Sequence, residues 1–287
     1  MIPRSFEYFV PRTIDDAISL LQKLGPEAKI LSGGQSLIPM MKLRLASPQC
    51  IVDINRLPGL DYISEVDGSL RIGALVRESE LESSPVVRSR WPILVDTTVV
   101  IADPLVRNQA TVCGNLAHGD PANDHPATML ALGATVVVVG PRGERQIPIE
   151  SFFTGLFETA LRPDEILTEL RIPVPPPVSG GAYLKLERKV GDYATAGVAV
   201  QITLDRAGLC QRAGIGLTNV GFSPIKATGT EAFLVGKKLD EPTIKQAAVL
   251  AAGESSPLDD IRGSADYKRD VVRVLTARAL NRAVERA

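Results

Sequence analysis

Ala28-Lys29-Ile30-Leu31-Ser32-Gly33-Gly34-Gln35-Ser36 is a short apolar strand that runs directly into a hydroxyl- and glycine-bearing loop. Glycine lets main-chain amides approach an anion closely, and serine hydroxyls add further donors. At the C-terminal end of a strand, such a loop occupies the usual ligand position of an α/β unit. One loop of this kind is equally an ordinary turn. A second one, Thr111-Val112-Cys113-Gly114-Asn115, changes the weighting. With no P-loop lysine beside either, the pair points to a diphosphate gripped from two sides.

Outward from the first loop, Phe6–Val10 reads as a strand and Cys50-Ile51-Val52-Asp53-Ile54 as another. Thr13 is the expected N-cap of a helix bearing the apolar stripe Ile14, Ala17, Ile18, Leu21 and Leu24, stopped by Gly25-Pro26. A helix over Leu37–Leu43 follows the loop, giving residues 1–56 the character of a βαβ unit. In residues 57–176 the sequence predicts a strand at Leu70–Ala74 and largely helical stretches at Glu78–Ser83 and Val86–Val100. It further predicts a loop-rich run from Ala102 to Asp124, a helix at Pro126–Leu132 and a hairpin of Thr135–Val139 with Arg145–Ile149. The strand Ile166–Ile172 leads into the linker Pro173-Val174-Pro175-Pro176-Pro177. Residues 177–287 predict a strand at Ala182–Arg188 and a hairpin of Val198–Leu204 with Leu209–Leu217. Helices follow at Thr228–Leu234, Thr243–Ala252 and Tyr267–Val284. The simplest packing is an antiparallel sheet with helices on one face.

The 287 residues allow two or three domains, with 45% hydrophobic and 23% charged residues, as in a soluble globular chain. A net charge of −1 leaves no electrostatic footprint for nucleic acid. No apolar run approaches a membrane span and no signal core opens the chain, so a cytoplasmic location is expected. No Gly-x-Gly-x-x-Gly supports a Rossmann site, and no Gly-x-Ser-x-Gly elbow is present. Cys50, Cys113 and Cys210 form no Cys-x-x-Cys pair, so neither disulfides nor metal clusters are expected; all three read as buried thiols. The two histidines, His118 and His125, share a polar loop with Asp120 and Asp124. Their spacing matches no helical ligand pair, and no metal site is expected. Asp124 suits helix capping or hydrogen bonding to ligand hydroxyls.

Taken together, these motifs resemble the FAD-binding medium subunits of the molybdenum hydroxylases, in particular of aerobic carbon monoxide dehydrogenase. The resemblance rests on Met1-Ile2-Pro3 with Phe6-Glu7-Tyr8, Ser32–Ser36 running into Leu37-Ile38-Pro39-Met40-Met41-Lys42, and Ile101-Ala102-Asp103-Pro104-Leu105-Val106-Arg107-Asn108. It continues through Thr111–Asn115, His118–Pro126, Ile172–Pro175 and Tyr183–Thr195. It implies an α+β fold with an α/β N-terminal unit, of the vanillyl-alcohol oxidase and carbon monoxide dehydrogenase flavoprotein type, completed by a C-terminal antiparallel sheet with helices. FAD would lie between the first two domains, its diphosphate held by Ser32, Gly33, Gly34, Gln35, Ser36 and Leu37 on one side. Thr111, Val112, Cys113, Gly114 and Asn115 would hold it from the other. The resemblance further implies that Ile101 packs on the flavin and Asp124 bonds ribityl or ribose hydroxyls. Lys185 would approach the polar edge of the ring and Tyr193 would cover one face.

Here Ser32 stands where the family usually has Ala, and Cys113 where it usually has Gly. The Cys113 Cβ disfavours a positive φ and narrows the approach to phosphate. The implied function is electron transfer, with no catalytic residue on this chain. A molybdopterin-bearing large subunit and a [2Fe-2S] small subunit would feed electrons to FAD, and an external acceptor (quinone, dioxygen or NAD) would remove them. The implied assembly is a heterohexamer, a dimer of three-subunit units in the cytoplasm, with association at the inner face of the membrane open. Carbon monoxide is the favoured substrate of the complex; a related N-heterocycle or aldehyde hydroxylase is the alternative. A free-standing FAD oxidoreductase, needing His118 or His125 as its base, and a scaffold that has lost FAD are the others.

Overall fold

A computed structural model describes residues 2–287, so Met1 of the opening motif lies outside the described residues. The first unit holds β1 (Glu7–Phe9), α1 (Ile14–Leu24), β2 (Ala28–Leu31), α2 (Leu37–Lys42) and β3 (Cys50–Asp53). Its three strands are parallel in the order β1-β3-β2. Thr13 caps α1 as the sequence predicts: its hydroxyl accepts from Asp16 N at 3.0 Å, and Asp16 accepts in return from Thr13 N at 3.1 Å. The predicted stripe buries Ala17, Ile18 and Leu21.

The second unit is built on an antiparallel five-stranded sheet in the order β4-β5-β10-β6-β7. In chain order it contains β4 (Ile63–Val66), β5 (Ser69–Gly73), α3 (Glu78–Ser83), α4 (Pro85–Arg90) and α5 (Pro92–Thr98). It continues with α6 (Pro104–Arg107), α7 (Val112–Ala117), α8 (Asp124–Leu132), β6 (Thr135–Gly140) and β7 (Gly143–Pro148). A two-stranded ribbon, β8 (Phe153–Gly155) and β9 (Glu158–Thr159), precedes β10 (Ile166–Pro173). Two expectations change here. The helical run Val86–Val100 is cut at Trp91 because Pro92 cannot extend α4 but fits the first position of α5. The loop-rich stretch Ala102–Asp124 contains two short helices, capped by Asp103 (Val106 N to Asp103 Oδ1, 2.9 Å) and by Thr111. Residues placed in a loop by the sequence are helix caps.

The third unit comprises β11 (Ser179–Leu186), β12 (Ala196–Leu204), β13 (Cys210–Thr218), β14 (Ile225–Lys226), α9 (Thr228–Leu234), α10 (Glu241–Glu254) and α11 (Ala265–Arg286). The sheet runs β11-β12-β13-β14, antiparallel throughout. Val198, Val200, Ile202, Ile215 and Leu217 pack with residues of α9, α10 and α11 on one face. The expected helices cover that face, and α8 of the second unit, beyond the expectation, covers the other. A Cβ on Gly214 would lie 2.0 Å from Ala131 O, and one on Gly216 would lie 1.9 Å from Ala127 O. Only glycine admits the helix that close. Arg286, at the end of α11, also donates to Asp96 of α5 at 2.6 Å and to Gly181 O at 2.6 Å.

Candidate functional site

The two glycine loops meet. Ser32 Oγ lies 2.9 Å from Thr111 Oγ1. A Cβ on Gly33 would sit 2.4 Å from Gln109 O and 2.9 Å from Thr111 N, so the first loop presses on the backbone leading into the second. Gly34 has φ +76°, and α2 begins three residues later, with Ile38 N bonded to Gly34 O at 3.0 Å. Among the described residues, the amides of Gly33, Gly34, Gln35 and Ser36 have no hydrogen-bond partner in the chain, which leaves four adjacent donors open. These residues are half-buried to exposed, so the four amides are open to solvent and able to donate to an anion.

The second loop is the first turn of α7. Thr111 caps it, accepting from Gly114 N at 3.2 Å, and a Cβ on Gly114 would crowd that hydroxyl at 2.6 Å. Cys113 therefore takes helical φ rather than the positive φ feared from the sequence, and its side chain turns inward. Its thiol is buried 3.8 Å from the carbonyls of Ile72 and Gly73 in β5. Burial pushes that thiol far above its ordinary range, with the Glu78 and Glu169 charges adding to the shift. The native protein is expected to leave Cys113 unmodified by a disulfide reagent at about pH 8 and to expose it only on unfolding. Rapid native labelling, read by peptide mass, would contradict the assignment.

A brace that sequence reading missed lies behind both loops. Arg77 donates to Gln109 O at 2.6 Å and to Asn55 Oδ1 at 2.8 Å, while Asn55 Nδ2 donates to Ser32 O at 2.7 Å. One guanidinium thus spans from the base of the second loop to the carbonyl that starts the first. Arg77→Met is expected to weaken retention of the bound ligand by about tenfold, the equivalent of one or two hydrogen bonds. Titration calorimetry reads this directly. An unchanged Kd would show the brace to be idle.

The loops open onto a crevice of about 1020 Å³. Ser32, Gly33, Gly34, Gln35, Ser36, Leu37, Ile101, Thr111, Cys113, Gly114, Asn115, Asp124, Lys185 and Tyr193 all border it. Val112 does not: it is fully buried and packs into the core, so of the second loop's residues it contributes no wall. The crevice extends further than the motifs foretold, along Ala46–Pro48 and past Phe157, Leu161 and Leu167. None of these carries a recognisable local signal.

Asp124 opens α8, with Asn123 as the residue before it, so it is not the N-cap. It accepts from Tyr183 Oη at 2.6 Å and from Lys185 Nζ at 3.1 Å; Asp124 and Tyr183 are buried, and the Lys185 side chain is only 2% exposed. Lys185 also donates to Val100 O at 2.8 Å and approaches Glu187 at 3.4 Å. Its ammonium is occupied within the wall rather than extended free into the crevice. Burial raises the Asp124 carboxyl above its ordinary value, opposed first by the Lys185 charge. His125 is sealed away, its Nε2 2.7 Å from Glu78 with both side chains fully buried, and it borders no part of the crevice. His118 does border it, its ring 5.2 Å from that of Phe157, and burial lowers its pKa. The loop therefore separates the two imidazoles instead of converging them.

The residues fit a dinucleotide with a diphosphate bridge. The unpartnered amides suit the anion, and Asn115 Oδ1 is buried without a partner at the same wall. The volume lies at the upper end of ordinary small-molecule sites, about 300–1,000 Å³. Frame and cradle together define an α+β protein with a crevice, bordered by two glycine loops from different units, that suits a dinucleotide cofactor.

Comparison with known proteins narrows that class. Residues 4–175 match the family model "FAD binding domain in molybdopterin dehydrogenase", and residues 181–283 match "CO dehydrogenase flavoprotein C-terminal domain". The chain is 45% identical over 287 residues to the carbon monoxide dehydrogenase medium chain of Afipia carboxidovorans, covering 100% of this chain and 99% of that one. It is similar to the solved carbon monoxide dehydrogenase of Hydrogenophaga pseudoflava that lacks the Mo-pyranopterin moiety (TM-score 0.97, 44% identity, 100% of both chains). It is also similar to quinoline 2-oxidoreductase from Pseudomonas putida 86 (TM-score 0.93, 33% identity, 99% of both chains). The chain belongs to the FAD-binding family of the molybdopterin dehydrogenases, as a flavoprotein of the oxidoreductase class that includes the carbon monoxide dehydrogenase medium chains.

Proposed function

We propose that this chain is the FAD-carrying electron-transfer subunit of a molybdenum hydroxylase, most closely of the carbon monoxide-oxidising kind. The observation that carries it is the pair of loops joined at 2.9 Å, with four adjacent unpaired amides in residues that border one crevice. Bound FAD would supply the redox chemistry, accepting electrons from [2Fe-2S] clusters of a small subunit and passing them to an external acceptor. The protein's own part is positional. Amides of Gly33–Ser36 take the diphosphate, with the start of α7 closing it from the other side; Ile101 packs beside the ring, and Tyr193 covers it. Asp124 accepts from ligand hydroxyls with Lys185 as its fixed counter-charge. The large subunit would hold molybdopterin and the primary substrate, in a dimer of heterotrimers located in the cytoplasm. Among the described residues no helix is long and apolar enough to cross a membrane.

The division into 1–56, 57–176 and 177–287 belongs to the same reading. It is supported by the confinement of each main sheet to one segment. Higher identity to carbon monoxide dehydrogenase chains (45%) than to quinoline 2-oxidoreductase (33%) favours carbon monoxide over an N-heterocycle. The test is reconstitution. The chain alone is expected to bind one FAD without oxidising carbon monoxide, and turnover with an artificial acceptor appears only when the large and small subunits are added. Turnover by the chain alone, or colourless protein after FAD loading, would refute the proposal.

A further inference from the structure

Tyr193 is 45% exposed at the mouth of the crevice, on the connection between β11 and β12. Its support does not come from that connection alone. The preceding turn closes through Asp192 N to Lys189 O at 3.1 Å, with Gly191 at φ +82°. A Cβ at Gly191 would lie 2.8 Å from Ala102 O, beside Ile101, so the turn is pressed against the crevice rim. Asp192 Oδ1 accepts from Tyr193 N at 2.8 Å and from Arg262 Nη2 at 3.0 Å, and Asp192 Oδ2 accepts from Arg188 Nε at 3.1 Å. The guanidinium carbon of Arg262 stands 5.7 Å from the centre of the Tyr193 ring.

Arg262 arrives from the far end of the chain, between α10 and α11, on a stiff base. Its own N–H is held by Asp260 Oδ1 at 2.8 Å, and Asp260 is ion-paired at 2.7 Å with the buried Lys268 of α11. A plain surface ion pair contributes little. The Arg262 side chain is only 19% exposed, and its Nε is buried without a partner, so Asp192 and the aromatic ring are what compensate it. One cation serves both the turn's carboxylate and the ring that the turn carries.

We propose that Arg262 is a positioning residue that sets how completely Tyr193 screens the flavin site from solvent and small diffusible solutes. The proposal rests on the reading that Tyr193 covers the isoalloxazine ring. Arg262 acts through Tyr193: its charge faces the ring and its Nη2 fixes the carboxylate that holds the Tyr193 amide. A docked ring shields the site, and an undocked one opens it. The cation–π contact together with the ion pair sets the docked-to-undocked ratio, on the order of tenfold.

The test uses FAD-loaded protein, purified with whatever subunits accompany it, and reads the quenching of flavin fluorescence by iodide alongside FAD content. Arg262→Ala is expected to raise the iodide quenching constant several-fold, up to about tenfold, with FAD content unchanged. Arg262→Lys keeps the charge but loses the planar fork, and should fall between it and the native protein. Tyr193→Ala should raise quenching at least as much, and adding Arg262→Ala to it should change nothing more. If Tyr193→Ala raises quenching and Arg262→Ala does not, the positioning role is wrong while the ring-cover reading survives. If Tyr193→Ala itself has no effect, the ring-cover reading fails. Should Arg262→Ala lose its FAD, Asp192→Asn removes the same anchor, and unchanged quenching in that variant overturns the proposal.

Discussion

Replacing Gly33 with valine is expected to produce a folded protein that loses its FAD on gel filtration. The new Cβ would be placed 2.4 Å from Gln109 O and 2.8 Å from Ala110 Cα, both backbone atoms that cannot swing aside. Relief comes only by separating the two loops, which breaks the Ser32–Thr111 contact and turns the open amides away from the diphosphate. Hydrogen bonds to a charged group contribute about 1.5–3 kcal/mol each, so losing two weakens binding by a hundredfold or more. Calorimetric titration of apoprotein with FAD measures the change. Gly25, where no atom lies within 4 Å of an added Cβ, serves as the control position, although its φ of +67° makes substitution there mildly strained. Native affinity in Gly33→Val would mean that the contact between the loops has no bearing on binding.

Lys185→Met is the second large effect. It leaves the Asp124 carboxylate buried with its hydroxyl partner but without its counter-charge, and breaking a buried pair in this way costs about 3–5 kcal/mol. The loss carries a pH signature. Burial already holds the Asp124 carboxyl above its ordinary value, opposed first by Lys185. Removing Lys185 raises it further. A carboxyl raised in the folded state binds its proton more tightly there than in the unfolded chain, so stability falls as pH rises above the unfolded value of about 3.9. The deficit of Lys185→Met relative to the native protein should therefore shrink toward mildly acidic pH and widen toward neutrality. Thermal unfolding at a series of pH values checks this. A deficit below about 1 kcal/mol, or one independent of pH, would show that Asp124 is compensated elsewhere.

What local chemistry could specify, the residue order revealed. Thr13 with Asp16 writes out a capping box, and the stripe Ile14 to Leu24 follows a helical period, so α1 was legible to its ends. The hairpin at Asp205–Gly208 was equally plain: Asp205 Oδ1 accepts from Ala207 N and Leu209 N, at 2.8 and 2.9 Å. Position along the chain said less where a residue type serves two ends. Asp103 and Thr111 suit turns and caps alike, and only the packing of α6 and α7 decided for caps. Val112 was grouped with its loop by adjacency, yet a helix sends neighbouring side chains in different directions, and this one points into the core. Arg77, Asn55 and Arg262 were invisible for another reason. Each acts on a partner at least twenty residues away, and a lone arginine or asparagine carries no periodicity to announce that.

The seat of α8 in the glycine furrow of β13 has a thermodynamic corollary. The same short rod that begins at Asp124 on the wall of the crevice ends wedged against strands laid down some ninety residues later. Free energy released when a nucleotide docks at one tip is therefore shared with the carboxy-terminal portion of the molecule. Stripping the prosthetic group should loosen amide exchange in β12 and β13 as well as around the cradle, so the molecule melts in one piece rather than in instalments.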